Sequence, residues 1–284
     1  MPELPEVETV RRSLLPKLAG HTITGVEIFW PRAVRYPEPE AFAAAIRGRR
    51  VEDLERRGKH LIIHLSGEQS LVVHLRMTGR LLYRDEGDEV SPYTTVLFHL
   101  DGGKALHFVD VRKFGAMHLV CAEEWDQVQS LRGLGVEPLS EEFTPAYLAA
   151  MLEGGRGPVK GRLLNQQRIA GLGNIYADEA LHRAGIFPGR PAGSLSPVEV
   201  ERLHAAIREV IAEGLAHRGT SVRDYVDGDG RAGAFQERLR VYRRTGRPCL
   251  RCATPIRRTV VAGRGTFYCP QCQEETGTGA GPQE

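Results

Sequence analysis

The chain has 284 residues, of which 41% are hydrophobic and 26% charged, with 38 Lys and Arg against 36 Asp and Glu. This composition predicts a globular chain with one large or two medium hydrophobic cores and excludes extensive disorder. No apolar run approaches the roughly eighteen residues that a membrane span needs. The first twenty residues mix charges with apolar positions, so we expect no export signal and a cytoplasmic location.

Three kinds of hydrophobic pattern follow one another along the chain: one helical, one strand-like and one helical again. Residues 6–18 carry apolar positions at helical spacing and predict an amphipathic helix. Between about residues 22 and 120, short alternating or β-branched runs separated by turn residues predict an antiparallel sandwich or barrel. After Gly135 four helical patterns follow, over residues 143–154, 161–171, 175–185 and 196–218. The last residues have the composition of a disordered tail.

These patterns, together with the cysteine pairs described below, divide the chain into four predicted domains. The boundaries are 1–130 for a β-sandwich, 131–236 for a helical domain, 237–273 for a cysteine-containing finger and 274–284 for the tail. The predicted fold class is therefore α+β and multidomain.

Positive charge is concentrated in one segment. Residues 231–270 hold ten arginines and a single acid, Glu237, so this segment is +9 and the remainder of the +2 chain is −7. Such an imbalance suggests a surface that binds a polyanion. A solvated basic face without a ligand is the alternative.

Four of the five cysteines form a metal-binding pattern. Cys249 and Cys252, then Cys269 and Cys272, make two C-x2-C pairs separated by sixteen residues. Four thiolates at this spacing suit one tetrahedral, structural Zn²⁺, which we favour over two disulfides in a reducing compartment. The run between the pairs predicts a hairpin that zinc stabilises. Cys121, at the end of a strand pattern, is expected to be an inert buried thiol.

The extreme N-terminus is chemically unusual. Removal of Met1 exposes the secondary amine of Pro2 beside Glu3 and Glu6. Such an amine is partly neutral at physiological pH and can attack a sugar carbon to form a Schiff base, while carboxylates move protons. A proline that only starts a helix is the alternative.

A second candidate site is the Gly-x-Gly-Asn turn that ends at Asn174. We expect Asn174 to cap a helix that begins at Ile175 and to present a helix N-terminus to a phosphate. An ordinary connection between helices is the alternative.

Six motifs in order resemble the formamidopyrimidine-DNA glycosylases: PELPEVET, RRGKHL, HLRMTGR, DVRKFG, GLGNIYADEAL and GRGTFYCPQC. The resemblance covers nearly the whole chain. It implies a β-sandwich, a helix-two-turns-helix module and a zinc finger, with damaged double-stranded DNA bound between the halves. The implied activity is excision of oxidised purines followed by strand cleavage through β,δ-elimination.

The resemblance also implies roles for individual residues. Pro2 is the expected nucleophile toward C1′, Glu3 the proton donor and acceptor, and Glu6 a supporting carboxylate. Lys59 is expected to serve the elimination steps, although a solvated lysine is its alternative. Arg264 is expected to clamp the phosphates around the extruded nucleotide.

DNA contacts are implied elsewhere in the chain. Met77, Arg112 and Phe114 correspond to an intercalating triad, which fills the gap left by an everted nucleotide and bonds the orphaned base. The expected backbone contacts are Arg156, Lys160, Asn174 and His74, of which His74 could equally be a core residue. Tyr93, after Pro92, stands where the family commonly has a histidine. Residues 218–235 correspond to a lid that orders on binding, in which Arg218 replaces a glycine of many relatives.

Two other functions stay open at this stage. An endonuclease VIII-like glycosylase would prefer oxidised pyrimidines, and a non-catalytic zinc protein would bind damage without cutting. For the favoured glycosylase we expect a cytoplasmic, nucleoid-associated monomer.

Overall fold

The computed structural model describes residues 1–221 and 224–275. It divides into two compact units, Met1–Gly133 with Gly214–Gln236 and Leu134–Glu213 with Glu237–Glu284. The segment that we assigned to the end of the helical domain thus groups with the N-terminal unit. Most of the predicted tail, residues 276–284, lies outside the described residues. No described helix is both long and apolar enough to cross a bilayer.

The first unit begins with helix α1, Leu4–Leu18, and later contains α2, Pro39–Ile46. Helix α1 starts two residues before the predicted position because Pro5 occupies its first turn and the Glu6 side chain accepts a hydrogen bond from the Glu3 N–H at 2.7 Å. Its predicted apolar stripe is confirmed, since Val7, Val10, Leu14 and Leu18 are all buried.

Among the described residues of this unit, nine strands form two sheets. In chain order they are β1 Ile23–Ile28, β2 Val34–Tyr36, β3 Val51–Arg57, β4 His60–Leu65, β5 Gln69–His74, β6 Gly79–Asp85, β7 Thr94–Leu100, β8 Lys104–Asp110 and β9 Ala116–Val120. One sheet has the order β1-β7-β8-β6 and the other β2-β9-β5-β4-β3. Every pair is antiparallel except β2 with β9, which the sequence analysis did not anticipate.

The two sheets share one hydrophobic core, which makes the unit a sandwich rather than a barrel. Leu61 and Val73 of one sheet, Phe98 and Phe108 of the other, and Val10 of α1 belong to the same buried cluster. Burial on this scale supplies the main driving force for folding. The sheets therefore provide a rigid support for the loops at their ends.

The second unit contains the later helices and a hairpin. Its elements are α3 Pro145–Leu152, α4 Val159–Leu163, α5 Asn174–Ala184, α6 Pro197–Ala216 as far as Glu213, β10 Arg257–Val261 and β11 Arg264–Tyr268. The predicted helix over residues 161–171 is wrong beyond Leu163. There the Gln166 side chain bonds the backbone of Leu164, Gly171 and Leu172 and holds a turn between α4 and α5.

Asn174 does not cap α5 as predicted. It is the first residue of the helix, and Gly173 occupies the cap position. Its side chain instead donates to the Gly265 carbonyl of β11 at 3.0 Å.

Candidate active site and nucleic-acid interface

The N-terminal motif forms a buried cluster of carboxylates. Pro2 is buried, and Glu3 and Glu6 are only 3% and 1% exposed. The Glu6 carboxylate accepts the Glu3 N–H through Oε2 and the Thr220 N–H through Oε1, both at 2.7 Å. Glu6 therefore joins the start of α1 to the segment after α6. With Met1 attached, the Pro2 nitrogen is a peptide nitrogen and has no nucleophilic lone pair.

Close approach of backbone requires glycine beside this cluster. Gly219 has φ +77°, and a Cβ at this position would lie 2.8 Å from Glu6 Oε1. The neighbouring Tyr225 is buried, and its hydroxyl donates to the Arg218 carbonyl at 3.1 Å. Burial and the negative charge of Glu6 both raise the pKa of Tyr225, so this hydroxyl stays protonated.

The expected lid is fixed at several points in its described part, residues 218–221 and 224–235. The Gly228 N–H donates to the Ser13 hydroxyl of α1 at 2.9 Å, and its carbonyl accepts the Tyr83 N–H at 3.0 Å. The exposed Arg218 adopts φ +59° and pairs with the buried Asp227. Residues 222 and 223 of the lid lie outside the described residues.

Lys59 and His74 are buried at neighbouring strands. Lys59, immediately before β4, is 6% exposed, so the solvated-lysine alternative is wrong. The His74 Nδ1 accepts the Arg76 N–H at 3.0 Å, and its ring stacks edge-on against His60 at 4.6 Å. Burial lowers the pKa of both histidines, that of His60 to about 4. Both rings are therefore neutral at pH 7, and His74 offers no positive charge to a phosphate.

Met77, Arg112 and Phe114 lie together at the surface of the sandwich. Met77 and Phe114 are 43% and 49% exposed, which is unusual for large apolar side chains. The Arg112 guanidinium lies 3.0 Å from the Met77 sulfur and 4.8 Å above the centre of the Phe114 ring. The structure thus brings the three residues of the expected triad into mutual contact and leaves them out of the core.

Lys160 differs from the expected surface contact. Its side chain is completely buried, with Nζ 2.7 Å from Asp178 Oδ1 and 2.8 Å from the Thr266 hydroxyl. Nζ also donates to the Gly265 carbonyl, the acceptor of the Asn174 amide. Burial raises the pKa of Asp178 to about 7, although the nearby ammonium opposes this shift. Lys160 therefore holds hairpin β10–β11 in place, and we correct its expected direct contact with a phosphate.

Three other expected DNA contacts have accessible side chains. Arg156, between α3 and α4, is exposed, and so is Arg264 at the start of β11. Tyr93 is 48% exposed, while its carbonyl accepts the Asp110 N–H. Both arginines belong to the second unit and Tyr93 to the first.

The cysteines converge as their spacing predicts. The ligand atoms of Cys249, Cys252, Cys269 and Cys272 all lie within 4.8 Å of one another. Three of the sulfur pairs are 3.4–3.9 Å apart. Zinc–sulfur bonds of about 2.3 Å at tetrahedral angles place the sulfurs about 3.8 Å apart, so the four side chains fit this ion. Cys121 is half-buried rather than buried and donates to Glu123 at 3.3 Å.

The sequence analysis missed three buried acids that organise these sites. Asp178 accepts the Phe267 N–H of β11 at 3.0 Å. Glu179 accepts the three consecutive N–H groups of residues 240–242 at 2.8–3.0 Å. Asp110 holds the turns around Met77 and Phe114. Adjacent acids within the apolar pattern of α5 were the available signal, because buried carboxylates need partners.

Comparison with known families accounts for these features. The chain matches the descriptions "Formamidopyrimidine-DNA glycosylase N-terminal domain" over residues 1–117 and "Formamidopyrimidine-DNA glycosylase H2TH domain" over residues 134–226. Residues 246–274 match "Zinc finger found in FPG and IleRS". The formamidopyrimidine-DNA glycosylase of Geobacillus kaustophilus is 53% identical over 96% of this chain and its own full length. The chain belongs to the formamidopyrimidine-DNA glycosylase family.

Other members of the family agree with this assignment. The enzyme of Moorella thermoacetica is 52% identical over 91% of this chain and 94% of its own. The crystal structure of the MutM (FPG) protein from Thermus thermophilus has a TM-score of 0.88 at 43% identity, covering 97% of this chain and all of that one. The Lactococcus lactis protein in complex with DNA containing an abasic site has a TM-score of 0.90 at 34% identity and covers 96% and 100%. The family and fold class implied by the motifs are confirmed.

Proposed function

We propose that this protein removes oxidised purines, such as 8-oxoguanine and formamidopyrimidines, from duplex DNA and then cleaves the strand at the resulting site. Membership of the family, with a relative aligned over 96% of the chain, supports the reaction class. The buried cluster of Pro2, Glu3 and Glu6 carries the assignment of the chemistry, because a nucleophile and two carboxylates meet at one helix terminus. The complexes of a Lactococcus lactis FPG mutant with Fapy-dG DNA and of the Lactococcus lactis Fpg with abasic-site DNA are consistent with this substrate class.

We assign the covalent steps to the N-terminal residues. After Met1 is removed, the Pro2 nitrogen attacks C1′ of the damaged nucleotide and the bond to the base breaks. The C1′–O4′ bond then breaks, O4′ takes up a proton, and the opened sugar is left as an iminium ion on Pro2. Glu3 moves the proton between the sugar and its surroundings. Glu6 keeps Glu3 and Thr220 in place through its two hydrogen bonds.

The iminium ion then makes strand cleavage possible. It acidifies the C2′ protons, so that loss of one of them expels the 3′ phosphate and a second elimination expels the 5′ phosphate. Lys59, which is buried beside β4, assists these proton transfers. Water then hydrolyses the iminium ion and releases the sugar from Pro2 as an unsaturated aldehyde. The other products are a free base and a one-nucleotide gap with phosphate at both ends.

We assign DNA binding to separate groups of residues. Met77 and Phe114 fill the gap in the base stack and Arg112 bonds the orphaned base. Arg156, Arg264 and Asn174 contact the phosphate backbone from the second unit, and Tyr93 contacts it from the first. Lys160 acts through the hairpin that carries Arg264, and His74 acts as a neutral residue that fixes the Arg76 backbone.

One structural zinc ion completes the proposed enzyme, held by Cys249, Cys252, Cys269 and Cys272. Four protein ligands leave no coordination position for substrate, so the ion is structural. It stabilises the small hairpin that presents Arg264. We further propose that the enzyme acts as a monomer and works beside the chromosome, where its substrate lies.

Borohydride trapping tests the proposal. A duplex with 8-oxoguanine opposite cytosine should yield a covalent adduct that peptide mapping places on Pro2, and Pro2→Gly should abolish rapid trapping. A parallel duplex with thymine glycol should react more slowly. Preference for thymine glycol would favour an endonuclease VIII-like activity, and complete absence of an adduct would favour a protein that binds damage without cutting.

A further inference from the structure

Asp110, the last residue of β8, is a carboxylate with no exposed surface. Its Oδ1 accepts hydrogen bonds from the Thr78 hydroxyl and, at 3.3 Å, from the Arg112 N–H. Its Oδ2 accepts the Gly115 N–H at 2.7 Å. Thr78 directly follows Met77, and Gly115 directly follows Phe114. One buried carboxylate therefore holds both turns that carry the exposed triad.

The two turns are also bonded to each other and have an unfavourable backbone. The Arg112 N–H donates to the Thr78 hydroxyl at 3.1 Å. Arg76 and Lys113, which precede Met77 and Phe114, have φ +55° and +56°, a region that side chains with a Cβ rarely adopt. Such conformations persist only where neighbouring bonds fix them. The bonds from Asp110 and Thr78 are of this kind.

Close packing leaves little room for these turns to relax. A Cβ on Gly79 would lie 2.4 Å from the Leu75 carbonyl oxygen. A Cβ on Gly115 would lie 2.4 Å from the Phe108 ring and 3.0 Å from Asp110 Oδ2. The side of the triad that faces the protein is thus tightly packed, while its outer side is open to solvent.

We propose that Asp110 and Thr78 are positioning residues for the triad and that they set how readily the enzyme everts a paired nucleotide. This inference rests on the intercalating role proposed above for Met77, Arg112 and Phe114. Thr78 is only 8% exposed, so both residues act through the triad. A carboxylate suits the position because its two oxygens accept from both turns at once, whereas an amide offers a single acceptor oxygen.

The test compares two substrates and two pairs of variants. Thr78→Val removes the hydroxyl at nearly constant shape, and Thr78→Ser restores it. Asp110→Asn removes one acceptor, and Glu40→Gln is a control at an exposed site on α2. Single-turnover rates are measured on a duplex with 8-oxoguanine opposite cytosine and on the same duplex with an abasic site, which has no damaged base to unstack.

We expect Thr78→Val and Asp110→Asn to slow excision of 8-oxoguanine about tenfold. Eversion of the nucleotide from the base stack costs a few kcal/mol and depends on the position of the triad. Cleavage at the abasic site should change less than twofold, and Thr78→Ser should behave as the unmodified enzyme. Equal losses on both substrates would indicate a general structural role and overturn the inference. An unchanged rate for Thr78→Val would also overturn it, even if Asp110→Asn fails to fold.

A further pair of variants separates this inference from the role of the triad itself. Met77→Ala and Phe114→Ala alter only exposed side chains. If they leave excision unchanged, the intercalating role is wrong and the positioning role with it. If they slow excision while Thr78→Val does not, only the positioning role is wrong.

Discussion

The Glu6 carboxylate lies 2.7 Å from the backbone nitrogens of both Glu3 and Thr220, although Glu6 and Thr220 are 214 residues apart in the chain. One side chain therefore fixes the start of α1 and the first residues of the lid together. A glutamine in place of Glu6 would have a single acceptor oxygen, so it could accept a hydrogen bond from only one of these two N–H groups.

We expect Glu6→Gln to release Thr220 and slow Schiff-base formation by about tenfold, the effect of losing one charged hydrogen bond. Hydrogen exchange should report faster exchange at residues 219–221, and borohydride trapping should report the slower chemistry. Glu40→Gln, at an exposed position on α2, is the matched control. Unchanged exchange at residues 219–221 would show that Glu6 does not hold this segment.

Alanine substitutions at Gly219 and Gly133 distinguish the cost of a positive φ from the cost of a steric clash with a neighbouring side chain. Both have positive φ, +77° and +62°. A Cβ added to Gly219 would lie 2.8 Å from the Glu6 carboxylate, whereas a Cβ added to Gly133 would meet nothing within 4 Å. Gly133→Ala should cost about 1 kcal/mol of stability and leave activity unchanged. Gly219→Ala should cost more and also lower the rate of excision. Thermal unfolding and single-turnover excision check both effects, and equal behaviour of the two variants would refute the steric argument.

Glu8 connects α1 to β3 and gives the fold a predictable response to acid. Burial by itself raises the pKa of Glu8, but hydrogen bonds from Arg11 and Arg12 outweigh burial and lower it to about 2. Arg56 of β3 adds a contact at 3.3 Å. Because the folded pKa lies below the value of 4.5 in a free side chain, this stabilisation is complete above pH 4.5 and is lost as the pH falls toward 2.

We therefore expect Glu8→Gln to lower the free energy of unfolding by about 2–3 kcal/mol at pH 7 and by about half as much at pH 3. Urea unfolding over this pH range measures the difference. Glu40→Gln should show no comparable dependence on pH. A loss of stability that is the same at both pH values would contradict the assignment of this shift to Glu8.

The buried position of Lys160 leads to a prediction about how DNA-binding affinity depends on salt concentration. Each direct contact between a cation and a phosphate contributes about one to the slope of log affinity against log salt concentration. Arg156→Ala should reduce this slope by about one. Lys160→Met should weaken binding by displacing the hairpin but leave the slope unchanged. Binding titrations at four salt concentrations decide the matter, and equal slopes for the two variants would restore a direct contact for Lys160.

Zinc removal should affect one part of the chain. Cys249→Ser or a strong chelator is expected to release one zinc ion per chain and unfold hairpin β10–β11, while the sandwich keeps its structure. Metal analysis and hydrogen exchange at residues 257–268 provide the measurements. Cys121→Ser is the control and should retain the metal, since Cys121 is outside the cluster. Retention of zinc by Cys249→Ser would refute the proposed ligand set.

Much of the fold was predictable because its elements have strong local patterns. Six runs of strand-like residues within the range 22–120 predicted β1, β4, β5, β7, β8 and β9, and these strands are confirmed, as is the apolar stripe of α1. Strands β3 and β6 were missed because charged residues interrupt their alternation, and α2 was missed because its apolar residues are mostly alanines. The end of α4 depends on side-chain bonds from Gln166, which periodicity does not reveal.

The candidate site was predictable only in part. Spacing identified the four cysteines directly, since metal ligation fixes their separation in the chain. The role of Met77 came from the resemblance. For Pro2 the chemistry of a free amine suggested a nucleophile, and the resemblance favoured that role over a proline that only starts a helix. The partners of Lys160 were inaccessible to sequence reasoning, since its bond with Thr266 spans 106 residues.

The triad differs from the rest of the sandwich in what its loss would cost the fold. Met77 and Phe114 contribute little to the core, while the conformation of their turns is set by residues behind them. Their size and polarity are therefore free to change without endangering the scaffold. Under the intercalating role proposed above, this separation makes the pair a natural starting point for engineering enzymes that open other kinds of damaged or mismatched pairs.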